Sequence, residues 1–337
     1  MTSTLVRIGL GVLPVALFLA TLVYLDSYKL VRPRLVLGTL VAGGAMAGIA
    51  YWAGIGLSEL GSLKASTYSR YFAPLIEEGL KALAIGYLLL TSRLGFLVDA
   101  TILGFAAGAG FAMVENLWYL QALPHTPVAT WIIRGFGTAI MHGGAGAILA
   151  MIAKSLSERG AARPIAASLL GLAAAVTIHS VFNHFFLSPV VSACAVLIAL
   201  PPLVAVVFRQ GELALRRWLD VGFDADTEML ELIHSGRLSD SRVGRYLSSL
   251  RERFRGEVVA DLLCYLRLHL ELSLRAKGLL MMREAGFRPS VAPEVRALLD
   301  ELGYLDRAIG ATGKLAMAPF IRRGGRETWQ LALLEER

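Results

Sequence analysis

The sequence predicts an all-α protein, a polytopic membrane helical bundle of about seven transmembrane helices followed by a C-terminal soluble helical domain. Three observations carry that expectation. The 337 residues are 55% hydrophobic and only 18% charged, whereas a soluble domain usually carries about 25% charge. The charge is unevenly spread. Residues 1–208 hold 12 Lys+Arg and 7 Asp+Glu, and residues 209–337 hold the other 21 and 19, roughly 9% against roughly 31% of each part. Finally, apolar stretches of about 20 residues, long enough to cross a ~30 Å hydrocarbon core, recur through the first part only. The expected domains are therefore a membrane domain, 1–208, and a helical domain on the cytosolic side, 209–337. Cys194 and Cys264, one in an apolar segment and one in the tail, make neither a disulfide scaffold nor a cysteine zinc site. Collagen-like, disordered and small secreted classes are excluded.

The seven stretches are roughly 5–25, 35–57, 71–91, 97–122, 128–154, 164–186 and 188–208. The first is too long for a signal peptide and shows no small-residue cleavage site before Asp26. With the N-terminus outside, the inner loops receive Lys29, Arg32, Arg34, Arg93, Lys154, Arg159, Arg163, Arg209, Arg216 and Arg217, and the outer side receives Arg7, Lys64 and Arg70. This bias favours an outside N-terminus, a cytosolic tail and an odd number of crossings. An excess of Lys and Arg in such a chain reads as orientation rather than nucleic-acid binding. Pro201-Pro202 marks an expected kink in the last span. In the tail, Leu230, Ile233 and Leu238, then Tyr246, Leu247 and Leu250, then Leu262, Leu263, Leu266 and Leu270 read as amphipathic helices of a small bundle. Its partner is not legible.

Charge inside a bilayer costs at least ~2.5–3.5 kcal/mol per residue on insertion scales. The spans nevertheless retain Glu77, Glu78, Lys81, Glu115, Arg134, His142, His179 and His184, with Asn116 and Asn183 beside them. At 1.5 Å per residue, Glu77, Glu115 and His179 fall about 10 Å below the outer surface, with His142 somewhat deeper. Four helices thus place ionisable groups in one slab.

Each motif has a bland reading beside the chemical one. In Glu77-Glu78-Gly79-Leu80-Lys81, successive residues are 100° apart, so one Glu pairs with Lys81 and the other faces a cavity. Low dielectric favours the protonated carboxyl, which suits it to take and return a proton; the bland reading is a structural ion pair. In Phe111-Ala112-Met113-Val114-Glu115-Asn116, Glu115 orients a histidine or compensates Arg134, and Asn116 bonds between helices; interhelical glue is as good an account. His142-Gly143-Gly144-Ala145-Gly146 leaves room for a water or a substrate backbone, or is a histidine bonded in a helix interface. His179 and Asn183 are four apart on one helix face, where two donors stabilise an oxyanion. His184 reads as interfacial.

The order Glu77-Glu78-x-x-Lys81, Phe111-Ala112-x-x-Glu115-Asn116, His142, His179-x-x-x-Asn183 resembles the PrsW family of intramembrane proteases, and more distantly the CAAX prenyl proteases, which share a paired-Glu motif and a His-x-x-x-Asn motif. The likeness covers 71–186, the expected catalytic core. It implies a multi-pass protein of the bacterial cytoplasmic membrane that cleaves single-span, membrane-anchored proteins near the outer face, for example a transmembrane anti-sigma factor. The family has been labelled metalloprotease, while its distant relatives are thought to use a glutamate-activated water.

The residues bear on that choice. Zinc wants three protein ligands and a water, and Glu77, His142 and His179 are the candidates. No His-Glu-x-x-His motif is present, and Asn183 stands where a second His would help. The expectation is therefore a metal-free site with no cofactor, and zinc is the alternative. Glu77, helped by His142, takes the proton of the attacking water, with Glu78 nearly as good a candidate. Glu78 and Lys81 set the charge balance, His179 and Asn183 bind the oxyanion, and Glu115 and Asn116 support them. The rivals are a proton-coupled transporter, for which no repeated broken helices are visible, and a non-catalytic membrane scaffold.

Overall fold

The computed structural model describes residues 2–60, 64–158, 163–321 and 325–335. Arg159, one of the expected inner charges, lies outside them. All regular structure among the described residues is helical. The helices are α1 (Thr2–Leu25), α2 (Pro33–Leu60), α3 (Ala73–Leu90), α4 (Leu97–Ala122), α5 (Val128–Ile133), α6 (Ile140–Glu158), α7 (Pro164–Asn183), α8 (Pro189–His234), α9 (Arg242–Leu250), α10 (Gly256–Glu284), α11 (Glu294–Ala308), α12 (Gly310–Met317) and α13 (Gly325–Glu335). A π-helical turn, Tyr68–Phe72, leads into α3, and a second, Arg134–Ala139, joins α5 to α6.

Each expected span coincides with a helix. Among the described residues, six helical segments are long and apolar enough to cross a membrane, with Val128–Glu158 counted as one. The one outside that set is α3, whose Ala73–Leu90 stretch carries Glu77, Glu78 and Lys81. The reason is physical: the stretch is apolar on average, but three charged side chains in little more than one turn set it apart from an ordinary lipid-facing span.

The chain divides into two compact units, Met1–Gly211 and Glu212–Arg337. Helix α8 does not stop near 208. It runs to His234 with Pro201 and Pro202 inside it.

At the centre of the first unit is α4, in which every residue from Val98 to Ala112 is buried. A helix that is apolar all round is a core helix, and α4 packs against α1, α2 and α6. Small residues allow the closest approach. A Cβ on Gly108 would lie 2.0 Å from the carbonyl oxygen of His142. The backbones of α4 and α6 therefore touch, which holds His142 against α4. The start of α4 is capped by Asp99, whose carboxylate accepts from the backbone N–H groups of Gly95 and Phe96 at 2.6 and 2.9 Å. Lys154, expected in a loop, instead lies in α6 and is buried. Its ammonium donates to the Leu94 carbonyl at 2.6 Å and pairs with Glu158 at 3.1 Å. One more helical turn than the hydropathy implies is sustained by these two partners.

The second unit has its own apolar core. Leu247, Leu250, Leu262, Leu266 and Leu270 are buried there, with Leu230, Ile233, Leu238, Tyr246 and Leu263 packed against them. Within it, Lys277 pairs with Asp226 at 2.6 Å.

Because overpacking in a tight interface costs about 1–3 kcal/mol or more, Gly108→Val is expected to lower the thermal unfolding midpoint of the purified protein. Gly38→Ala, where an added Cβ meets nothing within 4 Å, is expected to leave it within error.

Candidate active site

Three helices supply the acidic and basic groups, and α7 supplies one imidazole. On α3, Glu78 and Lys81 are three residues apart and fully buried, with Lys81 Nζ donating to Glu78 Oε1 at 2.7 Å. The same ammonium donates to His142 Nδ1 on α6 at 2.9 Å and lies 4.5 Å from the centre of the Phe111 ring. His179 Nδ1, on α7, is 2.8 Å from Glu78 Oε1. The His142 and His179 rings meet edge to face, 4.7 Å between centroids.

These contacts fix the protons. An ammonium only donates, so His142 Nδ1 accepts and the ring proton sits on Nε2. That Nε2 faces Glu115 Oε2 at 3.4 Å. An ionised carboxylate only accepts, so His179 Nδ1 donates to Glu78 and its Nε2 keeps a lone pair. That lone pair faces Glu77 Oε2 at 3.9 Å.

The two neighbouring carboxylates thus have different environments. Glu78 is wholly enclosed, with Oε1 engaged by Lys81 and His179 and Oε2 without a hydrogen-bond partner. Glu77 keeps 15% of its side chain exposed, and its Oε2 has no hydrogen-bond partner. Glu77 also lines a cavity of about 550 Å³ between α2, the first π turn, α3 and α4. Glu115 lines the same cavity.

Glu115 is held by Arg134, whose Nη2 donates to Oε2 at 2.9 Å while its Nε donates to Asn116 Oδ1 at 2.7 Å. The guanidinium carbon lies 3.9 Å from the Tyr119 ring centre. Asn116 in turn donates to the Gly11 carbonyl at 2.7 Å, tying α4 to α1. Of the two accounts given for Glu115, both hold at once, because it compensates Arg134 and faces His142.

Asn183 makes a different connection. Its amide donates to the Ser69 carbonyl at 2.9 Å, and Ser180 Oγ donates to the Arg70 carbonyl at 2.6 Å. These bonds satisfy carbonyls of the first π turn. His184 Nε2 lies 3.0 Å from the Tyr71 hydroxyl at the same junction. Four places on one face still differ by about 6 Å along a helix, enough to put His179 in the charged cluster and Asn183 on the turn above it. The pairing of Arg134 with Glu115 was one of the accounts the sequence offered, but the bond from Arg134 to Asn116 was not, since the π turn that begins at Arg134 has no hydrophobic signature.

A metal ion fits by position. One ligand atom from each of Glu77, His142 and His179 lies within 4.8 Å of the other two. Glu77 Oε2 lacks a partner, and His179 Nε2 keeps its lone pair, oriented by the carboxylate on the opposite nitrogen. His142 would first have to lose the proton on Nε2. If an ion were bound there, it would make the attacking water easier to deprotonate.

A bundle of membrane-spanning helices with carboxylates and imidazoles gathered beside a cavity defines a multi-pass membrane protein equipped for hydrolytic chemistry. Residues 29–208, just over half of the chain, match the family model described as "PrsW family intramembrane metalloprotease". The chain belongs to that family, and it is a membrane peptidase. Neither a curated protein nor a solved structure matches it.

Removing one member of a buried ion pair costs about 3–5 kcal/mol, because the other charge is left uncompensated. Lys81→Met is therefore expected to lower stability by about that much. Adding Glu78→Gln to it is expected to recover part of the loss, measured by thermal or denaturant unfolding in detergent.

Proposed function

We propose that the protein is an intramembrane endopeptidase in which Glu77 is the general base. The observation that carries this reading is the contrast between the two carboxylates: each has an unpartnered Oε2, but Glu78 is fully enclosed with its Oε1 held by Lys81 and His179, whereas Glu77 is partly exposed and borders the cavity. A water between Glu77 Oε2 and His179 Nε2, 3.9 Å apart, would find two acceptors. It would donate one hydrogen to each and keep its own lone pairs for attack.

Glu77 takes a proton as the water oxygen bonds to the scissile carbonyl carbon. The C–N bond then breaks and the proton passes from Glu77 to the leaving amine nitrogen, as general acid catalysis requires. The oxyanion needs a donor. His142 Nε2–H, with the Lys81 ammonium behind it, is better suited than Asn183, whose amide is engaged on Ser69. His179, as an acceptor, serves the water rather than the oxyanion. Glu78 and Lys81 hold the two imidazoles in their tautomers. Glu115, Asn116 and Arg134 keep the far wall in place.

The substrate is a single-span membrane protein, of which a transmembrane anti-sigma factor is the example implied by the family likeness. Supporting this, water is scarce at the bilayer midplane and a helical substrate hides its carbonyls, so a site hydrated from the outer face suits hydrolysis. On this reading α3 is the seventh span, the N-terminus is outside, and residues 209–337 form a cytosolic domain in a bacterial inner-membrane protein. A second reading, with zinc held by Glu77, His142 and His179, is favoured by their proximity and by the family description.

The test is cleavage of a panel of single-span substrates by the purified protein. Glu77→Gln is expected to reduce the rate about 10²–10⁴-fold, while Asn183→Ala retains most of it. Cleavage that survives a strong chelator supports the glutamate-activated water. Loss with chelator and restoration by added zinc supports the second reading, and undiminished cleavage by Glu77→Gln removes both.

A further inference from the structure

The cavity beside Glu77 has a wall that the reaction itself does not require. Its volume, about 550 Å³, lies within the roughly 300–1,000 Å³ of small-ligand pockets. On the α2 side it is bounded by Ala47, Gly48, Ala50 and Gly54, and on the α4 side by Phe111 and Val114. Tyr51 and Trp118, both more than a third exposed, pack against each other with ring centroids 4.9 Å apart. Tyr68 reaches in from the first π turn and takes the space that the missing side chain of Gly54 leaves, since a Cβ there would lie 2.4 Å from the Tyr68 hydroxyl oxygen. Apart from Glu77 and Glu115, the lining is apolar or aromatic.

The pairing of small residues with aromatics has a physical consequence. Small side chains on α2 make the room, and rings on α4 and the π turn supply flat apolar surface. Gly48 makes room without itself being needed for packing, because a Cβ added there meets nothing within 4 Å. A second cavity, between α1 and Phe136, Ile140 and Leu197, has no ionisable residue in its lining. The first cavity is therefore the one whose occupant sits next to a carboxylate oxygen that has no partner.

We propose that this cavity is a specificity subsite that takes a bulky apolar side chain of the substrate, Leu- or Phe-like, from a residue close to the scissile bond. The inference rests on the reading that Glu77 acts on the attacking water. It goes beyond that reading by assigning Ala47, Gly48 and Ala50 on α2 as the residues that set the size of the accepted side chain. An occupant in the cavity is beside Glu77, so its backbone is within reach of the base. An apolar wall gives affinity to an apolar side chain and leaves a charged one unpaired.

The experiment uses the full-length protein in proteoliposomes and two single-span substrates that differ only in whether the residues flanking the cut are Leu/Phe or Ala. The wild type is expected to cleave the bulky substrate faster. Gly48→Phe is expected to lower the bulky-to-small rate ratio about tenfold or more while still cleaving the Ala substrate, which also shows that it folds. Gly48→Cys provides a route in which the cavity is filled after folding. Its own bulky-to-small ratio before modification is the reference, and a benzyl thiol-reactive reagent is then expected to lower that ratio about tenfold or more. The same reagent on the wild type, which reports Cys194 and Cys264, leaves the ratio unchanged.

An unchanged ratio in both Gly48 variants, with cleavage still dependent on Glu77, overturns the subsite and leaves the catalytic reading standing. Equal loss of both substrates on modification of Gly48→Cys also overturns it, and identifies the cavity as a lipid or structural space. Cleavage that does not depend on Glu77 overturns the catalytic reading instead.

Discussion

The arrangement of this site depends on one buried positive charge. Lys81 has no exposure to solvent, and its ammonium is satisfied by Glu78 Oε1, by His142 Nδ1 and by the face of Phe111. An ion pair in such a place is a poor source of net stability, because removing two charges from water offsets much of their attraction. Its effect is directional. Lys81 pairs with Glu78 and, by donating to Nδ1, dictates the His142 tautomer. Through Glu78 it also dictates the tautomer of His179. One ammonium therefore determines which imidazole nitrogen carries a proton and which carries a lone pair. The chemistry open to Glu77 follows from that division.

Glu77 is special by being left out. It is adjacent in sequence to Glu78, and 100° of helical rotation separates them. The partners within reach, Lys81 and His179, both go to one oxygen of Glu78. Glu77 keeps an oxygen without a partner at the edge of a cavity. Leaving a polar atom unsatisfied in an interior is unfavourable; Glu78 Oε2 shares that condition, but only Glu77 borders the cavity, so Glu77 is the carboxylate open to chemistry. The contacts of Glu115 are consistent with this, since Arg134 and Asn116 hold that part of α4 rigidly while Glu77 stays unengaged.

Much of this was legible in the sequence because membrane helices obey strict rules. Hydropathy located the helices, the helix period required Glu77 and Glu78 to differ, and the spacing put Lys81 within reach of either. What could not be read is what depends on how helices meet. Which carboxylate faces inward is set by the rotation of α3 against α6 and α7. The reach of Asn183 to Ser69 depends on the height of α7 relative to the π turn, and a shared helix face says nothing about that. Lys154 was assigned to a loop because its partners, Leu94 and Glu158, are invisible to a hydropathy profile. The α2 wall of the cavity lies outside every polar motif, and its small residues carry the same signal as ordinary close packing.

The first π turn shows how local winding makes the site. Tyr68 and Glu77 are nine residues apart. In an unbroken α-helix that spacing places two side chains about 180° apart, on opposite faces. Both nevertheless line one cavity. The turn at Tyr68–Phe72 lies between them, and a π turn accommodates an extra residue, which underwinds the helix and swings the preceding side chains round relative to those that follow. Such a turn loosens the regular hydrogen-bond ladder, so its carbonyls need other donors. Ser180 and Asn183 on α7 supply them at Arg70 and Ser69. The His179-x-x-x-Asn183 spacing therefore has two uses in this fold: its histidine orders the protons around Glu78, and its asparagine secures the turn that brings Tyr68 to the same cavity as Glu77.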